Sequence, residues 1–437
     1  MSMIRELDLR GSTLSESEIA RLIPRAKLDI TSAMDIASSV MDSVRSGGSS
    51  YIRELTKQLD DFDPEPLRVS KQELTDALKQ LSPELKLAIT VSIERNRKVS
   101  EASMPKEFSV ELSPGAIVSQ RYVPMDSVGL YVPGGKAVYP SSVVMNVVPA
   151  QVAGVSNIFL ASPGQKQFGG RPHPTVLATA AMLGVEKVFC IGGPAAIASF
   201  TYGVQEIDLP PVRLITGPGN AYVAAAKKIA RQQVAIDSEA GTTEILIIAD
   251  QSANPKLVAA DLISQAEHDE AAAAVLVSDS AELISQVALE LADQVKGQKH
   301  STRIKQALIG QQSALVLVDS IDKAIELANS YATEHLQLMV ANPETVLGQI
   351  RNAGAVFLGD YSPVSLGDYL AGSNHVLPTG GAAKFSSGLG VHTFLRPQQV
   401  INYSRAALSE FSEALPLFAA AEDLPAHGEA VSKRFED

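Results

Sequence analysis

The stretch Val128-Gly-Leu-Tyr-Val-Pro-Gly-Gly135 decides the fold class, because it is a short apolar strand that ends in glycines just before a helical segment. Two later segments, Ile191-Gly-Gly-Pro194 and Thr216-Gly-Pro-Gly-Asn220, repeat the arrangement. The carboxyl end of such a strand is where open α/β sheets bind ligands and where helix N-termini receive phosphate. None of the three segments completes the G-x-G-x-x-G fingerprint, so the pattern fits a nucleotide site and plain tight turns equally well.

Apolar strands alternate with helical segments on both sides of this region. The first series of strands covers residues 128–132, 158–160, 188–191 and 212–215, with helices that start near Ser142, Pro174, Pro194 and Asn220. The second series covers residues 244–249, 274–277, 314–318, 336–340 and 355–358, and a helix covers 256–267. This alternation predicts right-handed βαβ units with parallel strands. We therefore expect an α/β fold with two doubly wound, incomplete Rossmann-like domains.

The sequence predicts helices at both ends of the chain. Capping-box spacings at Thr13–Glu16 and Ser70–Glu73 support predicted helices over residues 15–22, 31–45, 50–59, 71–81 and 83–99. Residues 402–417 predict an amphipathic helix in a tail that is too short to bury a core of its own. Such a tail is expected to dock elsewhere, and a partner subunit is the natural place.

These patterns divide the chain into four predicted parts. Residues 1–27 form an N-terminal helical arm, and residues 390–437 form a C-terminal helical tail that is swapped onto a partner. A first α/β domain combines residues 28–130 with 243–389 and holds the metal and catalytic site. A second α/β domain, residues 131–242, forms the dinucleotide side. The early helices are expected to cover the sheet built from the second series of strands.

Composition excludes several classes of protein. The net charge of −12 argues against a nucleic-acid partner, which needs clustered Lys and Arg. No apolar run approaches the roughly 20 residues of a membrane helix, and charges occupy the place of a signal peptide's apolar core, so a cytoplasmic protein is expected. The one cysteine, Cys190, excludes an internal disulfide and any Cys-rich metal site.

Histidine is scarce, and four of the seven histidines lie beside carboxylates or amides. Gln265 and His268 are three residues apart, which places them on one helix face. His268, Asp368 and His427 carry donors that zinc accepts readily, whereas the amide oxygen of Gln265 is a less common ligand.

The dipeptide Glu334-His335 offers a carboxylate to polarise water and an imidazole to act as a base, although alone it is more often a surface or cap feature. His375 is expected to be structural. Cys190 lies in an apolar strand and is expected to be inert, so an aldehyde oxidation here would require added water rather than a thiol nucleophile.

These segments resemble the histidinol dehydrogenase family over most of the chain. The likeness is densest at residues 130–135, 217–220, 264–268, 334–336, 357–359, 367–369 and 374–379. It implies a zinc enzyme that oxidises L-histidinol to L-histidine in two NAD-linked steps through an aldehyde, as part of histidine biosynthesis. It also implies a homodimer in which each active site borrows groups from the partner's C-terminal tail.

The resemblance assigns roles by position. Zinc would be held by Gln265, His268, Asp368 and His427. Glu334 would activate water in the second step, His335 would take protons in both steps, and Tyr131 and Asn220 would contact the dinucleotide. Substrate would be bound by Thr243, Glu422, His335 and the four metal ligands.

The chain departs from the family pattern at several positions. Ala195 replaces a glutamine that contacts the dinucleotide, Thr243 replaces a serine, and Ala332-Thr333 replaces Gly-Pro before the catalytic pair. Ala195 and the Thr242-Thr243 loop favour one alternative, a related zinc and NAD dehydrogenase of another small polar alcohol. A second alternative is a zinc hydrolase that uses Glu334 to activate water and binds no dinucleotide. A dimer that only binds ligand is disfavoured, because every proposed ligand is present.

Overall fold

Two parallel sheets and one small antiparallel sheet organise the chain. The computed structural model describes residues 3–26, 30–134, 138–238 and 241–436. The strands are β1 (Arg5–Asp8), β2 (Phe108–Ser113), β3 (Ala116–Pro124), β4 (Ser127–Tyr131), β5 (Asn157–Ser162), β6 (Val188–Cys190), β7 (Leu214–Thr216), β8 (Ala235–Ile236), β9 (Glu244–Ala249), β10 (Ala273–Ser278), β11 (Ala314–Leu317), β12 (His335–Met339), β13 (Ala355–Leu358) and β14 (Leu395–Tyr403).

Helices cover both parallel sheets. They are α1 (Glu16–Leu22), α2 (Ile30–Asp60), α3 (Lys71–Gln80), α4 (Pro83–Ala102), α5 (Pro140–Ala153), α6 (Pro174–Met182), α7 (Gly193–Tyr202), α8 (Ala221–Ala230), α9 (Pro255–Ala266), α10 (Ala281–Gln294), α11 (Ser301–Ile309), α12 (Ile321–Tyr331), α13 (Pro343–Leu347), α14 (Val364–Tyr369), α15 (Arg405–Ser409), α16 (Ala414–Ala421) and α17 (Pro425–Ser432). Within the described residues, no helix has the length and apolar character needed to cross a bilayer.

Both parallel sheets are doubly wound, as the alternation of strands and helices predicts. The smaller has the order β6-β5-β4-β7-β8, and the larger has the order β1-β11-β10-β9-β12-β13. In the smaller sheet, β5 and β6 are added on one side of β4, and β7 and β8 are added on its other side. The strand order therefore reverses between β4 and β7, and in the larger sheet it reverses between β9 and β12. Such reversal points are where open α/β sheets form binding crevices.

The early helices pack on the smaller sheet, which corrects the predicted grouping of residues 28–130 with 243–389. Helix α2 packs against α7 and α8, α3 against α6, and α4 against α5. Val40 and Ile52 of α2 share a buried cluster with Phe159 and Phe189 of the smaller sheet. An amphipathic sequence pattern predicts that one face of a helix is buried, but it does not indicate which sheet that face packs against. The predicted boundary at residues 130 and 131 also divides β4.

The two ends hold strands where helices alone were expected. Strand β1 lies in the N-terminal arm and pairs with β11 at the edge of the larger sheet. Strand β14 begins the tail and pairs antiparallel with β3, which also pairs with β2. The predicted helix over residues 402–417 starts only at Arg405, because β14 extends to Tyr403. The arm boundary between residues 27 and 28 lies outside the described residues.

Candidate active site

The residues proposed for catalysis meet at the amino edge of the larger sheet, at its reversal point. Thr243 precedes β9, and Glu334 precedes β12, whose first residue is His335. Because β9 and β12 are parallel neighbours with His335 opposite Ile245, these three side chains lie at the same edge. Helix α9 runs back across the sheet, so its end brings Gln265 to that edge as well.

A chain of hydrogen bonds joins Gln265, Thr243 and Glu334. The Gln265 Nε2 atom donates to Thr243 Oγ1 over 2.6 Å. The Thr243 hydroxyl then donates to Glu334 Oε2 over 2.6 Å. The threonine that replaces the family's serine therefore keeps the hydroxyl in use. Its extra methyl group does not prevent the contact.

The backbone of Glu244 holds both members of the Glu334-His335 pair. Its N–H donates to Glu334 Oε2 over 3.0 Å, and its carbonyl accepts from His335 Nδ1 over 3.1 Å. A carbonyl oxygen can only accept, so His335 Nδ1 carries the proton and Nε2 carries the lone pair. Among the described residues Nε2 is buried with no hydrogen-bond partner. It is therefore available as a base.

Burial sets the charge of Glu334 and His335, the two groups proposed for catalysis. It raises the pKa of Glu334 to about 7, against the opposing effect of the hydrogen bonds from Thr243 and Glu244, with the nearby Asp368 charge adding to the rise. Burial also lowers the pKa of His335, although Asp368 opposes that shift. The imidazole is therefore neutral near pH 7, and the carboxylate becomes a base as the pH rises through about 7.

A buried ion pair supports the same backbone from the other side. The Arg25 guanidinium lies 3.0 Å from Glu244 Oε2, whose carboxylate is almost fully buried, and the Tyr331 hydroxyl donates to the same oxygen over 3.4 Å. Arg25 also donates to the backbone carbonyls of Tyr331 and Ala332, just before Glu334 and His335. Sequence reasoning missed this network, because Arg25 lies more than 300 residues from the turn that it supports.

Gln265, His268 and Asp368 lie near one another and carry donor atoms of the kinds that zinc accepts. Gln265 Oε1 is buried without a hydrogen-bond partner among the described residues. His268 Nδ1 donates to the Gln265 carbonyl over 3.3 Å, which leaves the Nε2 lone pair 3.9 Å from Asp368 Oδ2. Two ligand atoms that each lie about 2.1 Å from one zinc ion are at most about 4.2 Å apart. A backbone partner for the second ring nitrogen is also usual for a ligating histidine.

His375 connects the two sheets and orients the segment that carries Asp368. Its Nδ1 donates to the Asp368 carbonyl over 3.0 Å, and Ser142 Oγ lies 3.1 Å from its Nε2. Ser142 belongs to α5, which follows the glycine loop of β4. Both ring nitrogens therefore have partners, as expected for a structural histidine.

Tyr131 and Asn220 lie at the reversal point of the smaller sheet. Tyr131 ends β4, its hydroxyl accepts a hydrogen bond from Gly193 N over 3.1 Å, and burial raises its pKa. Asn220 caps α8 after β7, and its Oδ1 accepts from Tyr222 N and Val223 N. The geometry fits a dinucleotide at this edge, since loops at a reversal point surround the end of a helix. Part of the neighbouring glycine loop, residues 135–137, lies outside the described residues.

Glu422 and His427 do not join this cluster within one chain. Both side chains are exposed, Glu422 at the end of α16 and His427 in α17. In the described part of the chain, no three His, Cys, Asp or Glu side chains meet in a group that could hold a metal ion. A single chain therefore supplies Gln265, His268 and Asp368 but not the fourth expected ligand.

Comparisons with known proteins show the family to which the chain belongs. The family described as histidinol dehydrogenase matches residues 23–435. The histidinol dehydrogenase of Leifsonia xyli is 52% identical over 434 residues, covering 99% of this chain and 100% of that protein. The one of Mycolicibacterium smegmatis is 52% identical over 433 residues, covering 98% and 97%. The crystal structure of histidinol dehydrogenase from Elizabethkingia anophelis superposes with a TM-score of 0.94 at 33% identity, covering 100% of this chain and 98% of that one.

Proposed function

The chain belongs to the histidinol dehydrogenase family, and we propose that it oxidises L-histidinol to L-histidine in two NAD-linked steps through the aldehyde. The proposal places this reaction in histidine biosynthesis in the cytoplasm. The observation that carries it is the Gln265–Thr243–Glu334 hydrogen-bond chain beside His335, whose Nε2 lone pair has no hydrogen-bond partner in the described part of the chain. One edge of the sheet thus combines a base, a water-activating carboxylate and a donor set suited to zinc.

In the first step, His335 takes the hydroxyl proton of the alcohol at Nε2. When bound, zinc would fix the imidazole and amino nitrogens of histidinol, and NAD would accept the hydride. The Glu244 carbonyl keeps the His335 tautomer fixed throughout, because it must receive the Nδ1 proton. Loss of one proton to His335 and one hydride to NAD leaves the aldehyde.

In the second step, Glu334 removes a proton from water as the oxygen adds to the aldehyde carbon, and His335 returns the proton it took in the first step to the former carbonyl oxygen, which gives a hydrate. His335, neutral again, then takes a hydroxyl proton of the hydrate, a second NAD would accept the hydride, and the product is the carboxylic acid. A thiol route is disfavoured, because Cys190 is buried and burial raises the pKa of its thiol to about 11. Water is therefore the nucleophile that the site can activate.

The reaction is tested by its stoichiometry. Purified zinc-loaded protein is supplied with limiting L-histidinol and excess NAD, and NADH is counted by absorbance. Two NADH per histidinol are expected, with histidine as the product. One NADH with accumulating aldehyde contradicts the second step, and no NADH contradicts the proposed reaction altogether.

We further propose that zinc is held by Gln265, His268, Asp368 and the partner's His427, and that the partner's Glu422 helps to bind substrate. The tail exposes apolar side chains that a monomer leaves uncovered: Leu417 is 73% exposed and Phe418 is 72% exposed. Phe108, Val110 and Leu112 of β2 are also exposed on the small sheet that contains β14. Exposed apolar side chains of this kind support an interface between copies of the chain.

Mixed dimers test the exchange of tails. A chain with His427→Asn and a chain with His335→Asn are each expected to be inactive. If tails are exchanged, each mixed dimer contains one intact site, so random pairing of an equal mixture restores about a quarter of wild-type activity. A mixture of the His427→Asn chain with a chain carrying both substitutions is the matched control and stays inactive. No recovery in the first mixture rejects the exchange.

A further inference from the structure

A buried ion pair lies beneath the loop that leads to Asn220, and the reaction does not use it. Lys227 of α8 pairs with Asp237, which directly follows β8, and the two side chains are only 2% and 4% exposed. Burying two charges costs free energy that a well-packed apolar pair would not cost. Stability alone therefore gives no reason for a charged pair at this position.

Both charges act on one residue of the glycine loop, Gly217. Its N–H donates to Asp237 Oδ2 over 2.8 Å, and its carbonyl accepts from Lys227 Nζ over 3.1 Å. The second carboxylate oxygen, Oδ1, accepts from Ser238 N over 2.6 Å and from Lys227. The ion pair thus holds both backbone polar groups of Gly217. No apolar pair of the same shape could do so.

Gly217 has no side chain whose packing could fix the position of its backbone. Its φ is +117°, a conformation that strongly favours glycine. A Cβ at this residue would also collide with the carbonyl oxygen of Tyr131 at the end of β4. The loop therefore lies directly against Tyr131 on one side. Three residues later it reaches Asn220, whose side-chain oxygen is fixed by capping α8.

We infer that Lys227 and Asp237 are positioning residues for the dinucleotide: they clamp Gly217 so that Tyr131 and Asn220 stand at the spacing that the ligand needs. The inference rests on the proposed NAD-linked function. Neither charged group is expected to touch the dinucleotide, because both are buried under the loop. Their effect is therefore on NAD affinity and not on the chemistry at His335.

The test measures NAD binding directly and kinetically. Asp237→Asn and Lys227→Met each remove one charge and keep most of the side-chain shape. Each is expected to raise the Kd for NAD, measured by titration calorimetry, and the KM for NAD by about tenfold or more. The KM for histidinol and the zinc content are expected to stay within about twofold of wild type.

A double variant separates positioning from stability. Lys227→Met with Asp237→Leu leaves no unpaired charge, so it is expected to fold even if a single variant does not. The backbone of Gly217 still loses its partners, so weak NAD binding should persist. Leu177→Ala, a buried change in α6 of the same domain, is the matched control for lost stability and should leave the Kd for NAD unchanged.

Three outcomes overturn the inference. Wild-type NAD affinity in the single variants, or its return in the double variant, would make the pair merely structural. An equal rise in the KM for histidinol and for NAD would remove the specificity of the effect. If the wild-type protein itself neither binds NAD nor produces NADH, the proposed function fails instead, and the two failures are distinguishable.

Discussion

Replacing Glu334 with glutamine should stabilise the protein while it blocks half of the reaction. Burial raises the pKa of this carboxyl from its ordinary 4.5 to about 7. The folded state therefore binds the proton more tightly than the unfolded state, so stability falls as the pH rises from 4.5 through about 7. Integrating this difference gives a cost to folding of about 3 kcal/mol at pH 8 and about 1 kcal/mol at pH 5.

Glutamine is neutral at every pH and can accept the same hydrogen bonds from Thr243 and Glu244 at its carbonyl oxygen. The metal-free Glu334→Gln protein should therefore unfold with a free energy about 3 kcal/mol higher than wild type at pH 8, and the gain should shrink towards pH 5. Urea denaturation in the presence of a chelator measures both values. Glu54→Gln, at an exposed carboxylate of α2, is the matched control and should show no such pH-dependent gain.

The activity of the same variant provides the second half of the test. Oxidation of histidinol to the aldehyde should continue, because Nε2 of His335 can still accept a proton and the tautomer of His335 is unchanged. Oxidation of supplied aldehyde should fall by a factor of about a hundred or more, because water loses its base. Equal loss of both steps, or a variant no more stable than wild type at pH 8, would refute the reasoning.

Three further substitutions test the surrounding structure. His335→Ala should reduce hydride transfer by about a hundredfold or more while bound zinc, measured by atomic absorption, is unchanged; loss of the metal would mean that His335 has another role. Ala332→Gly should raise the free energy of unfolding by about 1 kcal/mol, because Ala332 has φ +51° at the end of α12; a decrease in urea denaturation would contradict this. Arg25→Met should destabilise by about 3 kcal/mol, because it leaves the Glu244 carboxylate buried without its cation. Burial already raises the pKa of Glu244 to about 7, and removal of the Arg25 guanidinium should raise it further. The loss of unfolding free energy caused by Arg25→Met should therefore be larger at pH 9 than at pH 6. An equal loss at both pH values would contradict the pairing.

The central parallel strands could be predicted from the sequence because they are continuous apolar runs, and Glu244–Ala249 is buried at every residue. Glu244–Ala249 and Ala355–Leu358 were predicted with their observed bounds. For the remaining core strands, the predicted and observed bounds differ by one or two residues. Strands with mixed polarity were missed: β14 contains Pro397 and two glutamines, and its exposed residues give no apolar run. Its pairing with β3 depends on contacts more than 270 residues apart, which no local pattern contains.

The resemblance proposes the residues of the candidate site, but no sequence pattern gives their arrangement. The glycine loops predict a ligand site at the carboxyl ends of strands, where Tyr131 and Gly217 lie. Thr243 and Glu334 instead lie at the amino ends of β9 and β12. The Gln265–Thr243–Glu334 chain could not be foreseen, because hydrogen bonds of 2.6 Å depend on how three separate elements pack. The resemblance to a family supplied the residues, and the structure supplies their connections.

The backbone of the single residue Glu244 donates its N–H to Glu334 and accepts at its carbonyl from His335, the two side chains proposed for catalysis. Any drift of strand β9 along its axis would disturb the carboxylate and the imidazole at the same moment. An engineer who wants an enzyme that stops at the aldehyde therefore cannot obtain it by remodelling this backbone. Such a change has to be made in the side chain of Glu334 itself, with the strand left where it is.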